Sequence, residues 1–156
     1  MIMKKVLMAS AIIFSVVGCA GQAPLKKQTA SGKPEAVYKN TQKSQVKDWI
    51  TELCSSTGFM ISESTDNTIT CGKQQEGGQA ILSQALIGNA YSTTPVSKTR
   101  FTLAQINSDT KVWADMWVET QMAFGQMQQV PITNNNVRNQ VQDALDQLAL
   151  RSASQK

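Results

Sequence analysis

The segment with the strongest fold information reads TKVWADMWVET, from Thr110 to Thr120. Medium-sized apolar residues alternate along it with residues of mixed character. The first set is Val112, Ala114, Met116 and Val118, and the second set is Trp113, Asp115, Trp117 and Glu119. Successive side chains of a β-strand point to opposite faces, so this period of two predicts a strand. The two sets therefore belong to opposite faces of a sheet.

The sequence on either side predicts further strands in an antiparallel arrangement. The turn-forming residues Asp66-Asn67 and Asn107-Ser108-Asp109 separate β-rich runs, and such side chains favour turns because they hydrogen-bond the local backbone. The predicted strands span residues 59–63, 68–71, 96–106, 110–120 and, bent at Gly125, residues 121–130. The sheet is therefore expected to contain four to five strands.

Two helices are predicted to pack on this sheet. Apolar residues recur at spacings of three and four in a helix that begins near Ser44 and in a long C-terminal helix. These residues are Val46, Trp49, Ile50 and Leu53 in the first helix, and Val137, Val141, Ala144, Leu145 and Leu148 in the second. A short apolar helix is also predicted over residues 80–87. Residues 44–156 thus predict a single α+β domain, with an N-terminal and a long C-terminal helix packed on the sheet.

The N-terminus has the layout of a secretory signal. Lys4 and Lys5 precede an apolar run over residues 6–17. This run is about a dozen residues long, shorter than the roughly 20 that a membrane-spanning helix needs. Residues 1–18 are therefore predicted to be a signal peptide. Cleavage as an ordinary signal peptide near residues 18–21 is the alternative to the lipid attachment described next.

The run ends in Val16-Val17-Gly18-Cys19, which resembles the lipobox of bacterial lipoproteins, although that class prefers Leu where Val16 stands. The resemblance implies a mature protein that begins at Cys19, with diacylglycerol on the thiol of that residue. In this class the following residue carries sorting information, and Ala20 is not the Asp that retains such proteins in the inner membrane. The resemblance therefore implies a lipid anchor in the outer membrane, on its periplasmic face.

Residues 19–43 predict a flexible tether. Pro and Gly recur in them and no apolar period is sustained. They contain five lysines against Glu35, whereas residues 45–156 contain eight basic and ten acidic residues. The basic excess is consistent with a solvated linker or with weak attraction to anionic headgroups beside the anchor. The domain itself lacks the basic footprint of a nucleic-acid-binding protein.

With Cys19 assigned to lipid, Cys54 and Cys71 remain as a pair. An exported protein meets an oxidising compartment, so a Cys54–Cys71 disulfide is predicted. A metal site is the weaker interpretation because the chain has no His and two thiols do not complete a zinc site. Free buried thiols are the other alternative. A disulfide would connect the first helix to the second strand of the first hairpin.

The element order over residues 45–150, together with the lipobox, loosely resembles the helix-grip domains of outer-membrane lipoproteins that accompany barrel assembly. The resemblance implies a periplasmic domain that assists an assembly of other proteins. No shared motif supports carrying a functional residue over from those proteins.

The composition excludes several chemistries. Without His there is no Ser-His-Asp or Cys-His catalysis, and Gly77-Gly78 lacks the Lys-Ser/Thr that completes a phosphate-binding loop. Asp115 and Glu119 would lie about 13 Å apart on one strand face, wider than the roughly 5–9.5 Å between glycosidase carboxylates. We therefore predict a non-catalytic protein without a cofactor or metal.

Trp113 and Trp117 are the candidate partner-binding residues. Either they lie on an exposed face as aromatic anchors, or the faces are inverted and the Trp pair packs under a helix. The sequence thus predicts an envelope lipoprotein that binds another protein. The alternative function is binding of a small ligand or peptide, or inhibition, through a patch near Met116, Met122, Phe124 and Met127.

Overall fold

The computed structural model describes residues 22–88 and 92–154. Cys19 and the predicted signal peptide lie outside the described residues. The strands are β1 (Glu35–Tyr38), β2 (Met60–Ser64), β3 (Thr68–Gln74), β4 (Val96–Ile106), β5 (Asp109–Gln121) and β6 (Met127–Pro131). The helices are α1 (Lys43–Ser56), α2 (Gly77–Ile87) and α3 (Asn135–Ser154), and a 3-10 turn spans Ala123–Gly125.

The strands form one antiparallel sheet in the order β1-β5-β4-β3-β2. Strand β6 pairs with the second half of β5, on the same edge that β1 occupies along the first half. The predicted α+β class and antiparallel sheet are confirmed, with six strands instead of four to five. The segment over residues 110–120 lies in β5, which pairs with the three strands β1, β4 and β6.

The predicted tether over residues 19–43 is wrong from residue 22 onward. Strand β1 lies within it and pairs Glu35 with Trp113 and Tyr38 with Thr110. Upstream of β1, Lys26 and Lys27 form ion pairs with two aspartates of α3. A four-residue strand directly after Pro34 is too short to show a sustained period of two, so the sequence pattern did not identify it.

The core lies between one face of the sheet and helices α1 and α3. Helix α1 buries Val46, Ile50 and Cys54, spaced by four residues, and α3 buries Leu145 and Leu148. The sheet residues that they meet are Ala36, Tyr38, Ile69, Cys71, Phe101, Leu103, Val112 and Ala114. Within residues 22–88 and 92–154, no helix is both long and apolar enough to cross a membrane.

Helix α3 is longer than the sequence pattern predicted, with 20 residues instead of about 14. Asn134 is its N-cap, since its Oδ1 accepts hydrogen bonds from the backbone N–H of Asn136 (2.8 Å) and Val137 (3.4 Å). The helix begins just after β6, where Ile132 donates its N–H to the carbonyl of Met116 (3.0 Å). Helix α3 thus starts beside the middle of β5.

The structure joins Cys54 and Cys71 by a disulfide, with the two Cα atoms 6.2 Å apart. It joins the buried face of α1 to the core face of β3. The bridge closes a loop of 17 residues. Chain-entropy arguments assign about 3 kcal/mol of stabilisation to a loop of this length. The bridge therefore fixes helix α1 on the sheet.

Candidate functional site

The face of the sheet opposite α1 and α3, here called the open face, is the candidate site. Along β5 the buried residues Val112, Ala114 and Met116 alternate with the partly exposed Trp113, Asp115 and Trp117. The inverted arrangement, with the Trp pair under a helix, is therefore wrong. Both Trp side chains lie on the open face, as the partner-binding prediction requires.

Each Trp on the open face lies beside a cation. The guanidinium carbon of Arg100 is 5.3 Å from the ring centroid of Trp117, and Nζ of Lys111 is 5.0 Å from that of Trp113. A cation over an aromatic ring contributes about 0.5–1 kcal/mol at an exposed site. Arg100 lies on β4, so its contact with Trp117 crosses the strand pair, whereas Lys111 and Trp113 are both on β5. These contacts restrict the orientation of the two indole rings.

Glu119 is the most buried charged group of the open face. Its carboxylate accepts hydrogen bonds from Nε1 of Trp117 (2.9 Å) and Nε2 of Gln129 (3.1 Å), and it forms an ion pair with Lys98. Burial opposes ionisation of this carboxyl, but the hydrogen bonds from Lys98 and Trp117 and the charge of Lys98 outweigh it. The pKa of Glu119 is therefore below its usual value.

The other charges of the open face are also paired. Asp115 accepts Lys33 at 2.6 Å, Glu35 accepts Lys111 at 3.1 Å, and Glu63 accepts Arg100 at 3.4 Å. The hydroxyl of Ser31 donates to Glu35 and, together with Lys111, lowers the pKa of that carboxyl against the opposing effect of burial. The open face therefore presents two indole rings within a set of neutralised charges.

The two carboxylates considered for catalysis are both in ion pairs. Asp115 and Glu119 each hold a lysine, and the pKa of Glu119 is lowered, whereas a general acid needs a raised one. The described residues contain no group of three or more Cys, Asp or Glu side chains placed to hold a metal ion. The open face thus offers aromatic rings and paired charges for non-covalent contacts.

Glu119→Gln is expected to lower the free energy of unfolding by about 2 kcal/mol at pH 7, because a buried carboxylate loses charge-assisted hydrogen bonds. The native pKa is depressed, so the stabilisation is present above the unfolded value of about 4.3 and is lost as the pH falls through the native value. The difference from wild type should therefore shrink below about pH 4. Denaturant unfolding at pH 7 and pH 3 measures it.

The control for this experiment is Glu52→Gln. Glu52 pairs with Arg151 at 3.4 Å on the surface, where an ion pair contributes little. This variant should stay within about 0.5 kcal/mol of wild type at both pH values. A deficit of Glu119→Gln that is the same at pH 7 and pH 3 would show that its ionisation does not stabilise the fold.

A second concave feature lies on the helix side of the sheet. A groove of about 930 Å³ separates the C-terminal end of α1 from the N-terminal end of α3. Its apolar lining includes Leu53, Phe59, Val118, Ile132, Val137 and Val141. Gln75 also lines it, and the buried Oε1 of this residue has no hydrogen-bond partner in the described part of the chain. The sequence pattern did not reveal this groove because its walls come from six separate segments.

The ligand patch predicted near Met116, Met122, Phe124 and Met127 does not form. Met116 is buried on the core face, whereas Phe124 is fully exposed in the turn between β5 and β6. Met127 begins β6 and is half exposed. Phe124 also has a φ of 66°, a left-handed conformation that bulky residues rarely adopt. Because Met116 lies in the core, apart from the exposed Phe124 and Met127, the predicted residues do not form one patch.

The chain matches no protein-family model, and a search among curated proteins finds no matching relative. Function is therefore inferred from the geometry of the open face and from the N-terminal sequence.

Proposed function

We propose that this protein is a non-catalytic lipoprotein of the bacterial envelope that binds another envelope protein through its open face. Lipid on Cys19 would hold it in the outer membrane, with the domain in the periplasm. The observation that carries the proposal is the position of Trp113 and Trp117 on the sheet face that α1 and α3 leave uncovered.

The contacts of the two Trp residues suit a binding surface. Trp side chains are enriched among the residues that dominate binding energy, because they bury a large area and lose little side-chain entropy. The cations over both rings and the hydrogen bond from Trp117 to Glu119 already restrict the indoles. A partner would therefore meet preorganised anchors, and preorganisation lowers the entropic cost of association.

The paired charges support the same interpretation. A charge that is covered by a partner without its own counter-charge opposes binding strongly. Asp115, Glu119 and Glu35 each have a lysine of this chain within ion-pair distance. The open face can therefore be covered by a partner without leaving these carboxylates unpaired. Attachment to a membrane would further raise the effective concentration near partners on that surface.

Trp117→Ala is expected to weaken the partner complex about 30-fold, the effect of losing roughly 2 kcal/mol at a dominant contact. The measurement is photo-crosslinking in intact membranes, with benzoylphenylalanine in place of Thr102, which pairs with Trp113 across β4 and β5. The wild-type background should give a discrete crosslinked product, and Trp117→Ala should lose most of it.

Two controls accompany this measurement. Trp117→Phe keeps an aromatic ring on the open face and should retain most of the product. The same photoreactive residue in place of Glu52, an exposed residue of α1 on the helix side, should not give it. Equal yields from wild type and Trp117→Ala, or a product from position 52 alone, would contradict binding through the open face.

The groove supports a second candidate, binding of a small ligand or peptide. Its volume of about 930 Å³ lies within the usual range of ligand sites, and Gln75 supplies an acceptor without a partner. A ligand that co-purifies with the protein and is seen by native mass spectrometry would favour this candidate over protein binding.

A further inference from the structure

We propose that the domain rests directly on the bilayer, through one end of the sheet, instead of hanging from it on a long tether. This end, here called the uncharged end, consists of α2 and the β5–β6 turn over residues 122–126. The inference rests on the proposed lipid anchor at Cys19 and adds the orientation of the domain.

The chain after Cys19 contacts α3 from Gln22 onward. Residues 22–27 run along α3: the side chain of Asn135 donates to the carbonyl of Ala23 (2.8 Å), that of Asn139 donates to the carbonyl of Pro24 (3.0 Å), and Lys26 pairs with Asp143 (2.5 Å). Gln22 stands three residues after Cys19, and three residues span at most about 10 Å. A lipid on Cys19 would hold the start of α3 that close to the membrane surface.

The hydrogen bonds between strand ends locate α2 and the β5–β6 turn in the sheet. Strand β3 ends and β4 begins at the same end of the sheet, since Gln75 donates its N–H to the carbonyl of Pro95 (2.9 Å). The N–H of Thr93 donates to the carbonyl of Gln121 (2.9 Å), which places the end of β5 there too. Helix α2 connects β3 to β4, so α2 and the β5–β6 turn lie at one end of the sheet.

The described chain begins beside the start of α3, which shares a groove with α2. Ser83 of α2 lines the same groove as Asn134 and Asn136, which flank the first residue of α3. Asn135 binds both Gln22 and Ala23. From Ala23 to Lys27 the chain follows α3 away from its N-terminus. The residue that would carry the lipid therefore joins the domain on the side of α2.

The uncharged end combines a lack of charged residues with exposed apolar side chains. Residues 77–97 and 120–137 contain no charged residue, although charged residues make up 17% of the chain. Leu86 is 75% exposed, Met127 is 52% exposed and Phe124 is fully exposed. The left-handed backbone at Phe124 holds a bulky apolar residue at the tip of the turn. At the opposite end of the sheet, Lys39 pairs with Asp109 beside the β4–β5 turn.

An uncharged surface with exposed Leu, Met and Phe side chains fits the boundary between headgroups and acyl chains. Helix α2 has 11 residues and is about 16 Å long, so it would lie on the bilayer and not span it. With this end on the membrane, the strands point away from the surface. The open face then stands beside the bilayer and remains free for a partner.

The test uses the full-length acylated protein in vesicles of phosphatidylethanolamine and phosphatidylglycerol. A nitroxide is attached at Phe124→Cys, at Leu86→Cys or, as the control, at Ser108→Cys in the β4–β5 turn. Cys54 and Cys71 form a disulfide, and an acylated Cys19 has no free thiol. Since Phe124, Leu86 and Ser108 are exposed, these substitutions leave the core unchanged.

Collisions with oxygen, which concentrates in lipid, are compared with collisions with a water-soluble nickel chelate. The ratio of oxygen to nickel collisions should be several-fold higher at position 124 than at position 108. Position 86 should give a ratio similar to that at position 124. Acylated protein that floats with the vesicles but shows equal ratios at 124 and 108 would overturn the membrane contact and leave the anchor intact. Protein whose intact mass shows no acyl chain would overturn both.

Discussion

Tyr38→Ala is expected to lower the free energy of unfolding by about 4 kcal/mol, because truncating a buried aromatic side chain leaves a cavity in the core. Tyr38 is fully buried, and its ring lies 6.2 Å from that of Trp49 in α1. Its hydroxyl donates to the carbonyl of Leu145 in α3 (3.1 Å), and burial raises the pKa of this phenol above its usual value. Denaturant unfolding of the disulfide-bonded protein measures the loss.

Two variants serve as controls for this experiment. Val37 is the neighbouring residue of β1 and is 42% exposed, so Val37→Ala should cost well under 1 kcal/mol. Tyr38→Phe keeps the ring and should lose about 1 kcal/mol with its hydrogen bond. If Tyr38→Ala unfolds within 1 kcal/mol of wild type, β1 does not belong to the folded domain and the tether extends as far as the sequence predicted.

The sequence predicted those elements in which the pattern of apolar residues repeats over many positions. The alternation along residues 110–120 identified strand β5, and the apolar spacing around Ile50 and Leu145 identified the two helices that cover the sheet. Each of these elements is long enough to show its own period. The Cys54–Cys71 disulfide was predictable because lipid on Cys19 would leave two thiols in an oxidising compartment.

The sequence pattern did not reveal strand β1, because its place in the sheet depends on pairing with residues far along the chain. Four residues after Pro34 carry too little periodicity, and their strand is completed by pairing with β5. The hydrogen bonds that hold Ala23 and Pro24 to α3 join residues more than 100 positions apart. Long-range contacts of this kind leave no local pattern in a single sequence.

The buried face of β5 was also undecided from the sequence. Both sets of alternating residues contain large apolar side chains, so periodicity alone does not select one of them. Packing selects Val112 and Ala114, because they fit beneath the aliphatic side chains of α1 and α3. Trp117 has a polar N–H that needs an acceptor, and Glu119 supplies it on the open face.

These features connect the anchor to the open face. If Cys19 carries lipid, the segment over residues 22–27 keeps the start of α3 near the membrane, and the uncharged end follows it there. Trp113 and Trp117 then face sideways along the membrane surface, toward proteins that share it. Every step of this arrangement depends on the lipid at Cys19.

Cys19→Ser is therefore expected to have the largest effect on location. The thiol is the group that accepts diacylglycerol in the lipoprotein class, and a hydroxyl does not replace it there. Cells that express wild type or variant are grown with an alkyne analogue of palmitate, and the purified proteins are analysed by gel and by intact mass. As a control, the double variant Cys54→Ser/Cys71→Ser should keep the label, because it leaves Cys19 unchanged.

The wild-type protein is expected to carry the label, to begin at Cys19 and to have the mass of an acylated chain. The Cys19→Ser variant is expected to carry no label and to retain residues 1–18. Two results would contradict a lipid anchor at Cys19. One is a wild-type protein that is cleaved at another position and has no acyl chain. The other is a Cys19→Ser variant that is processed and membrane-bound like wild type.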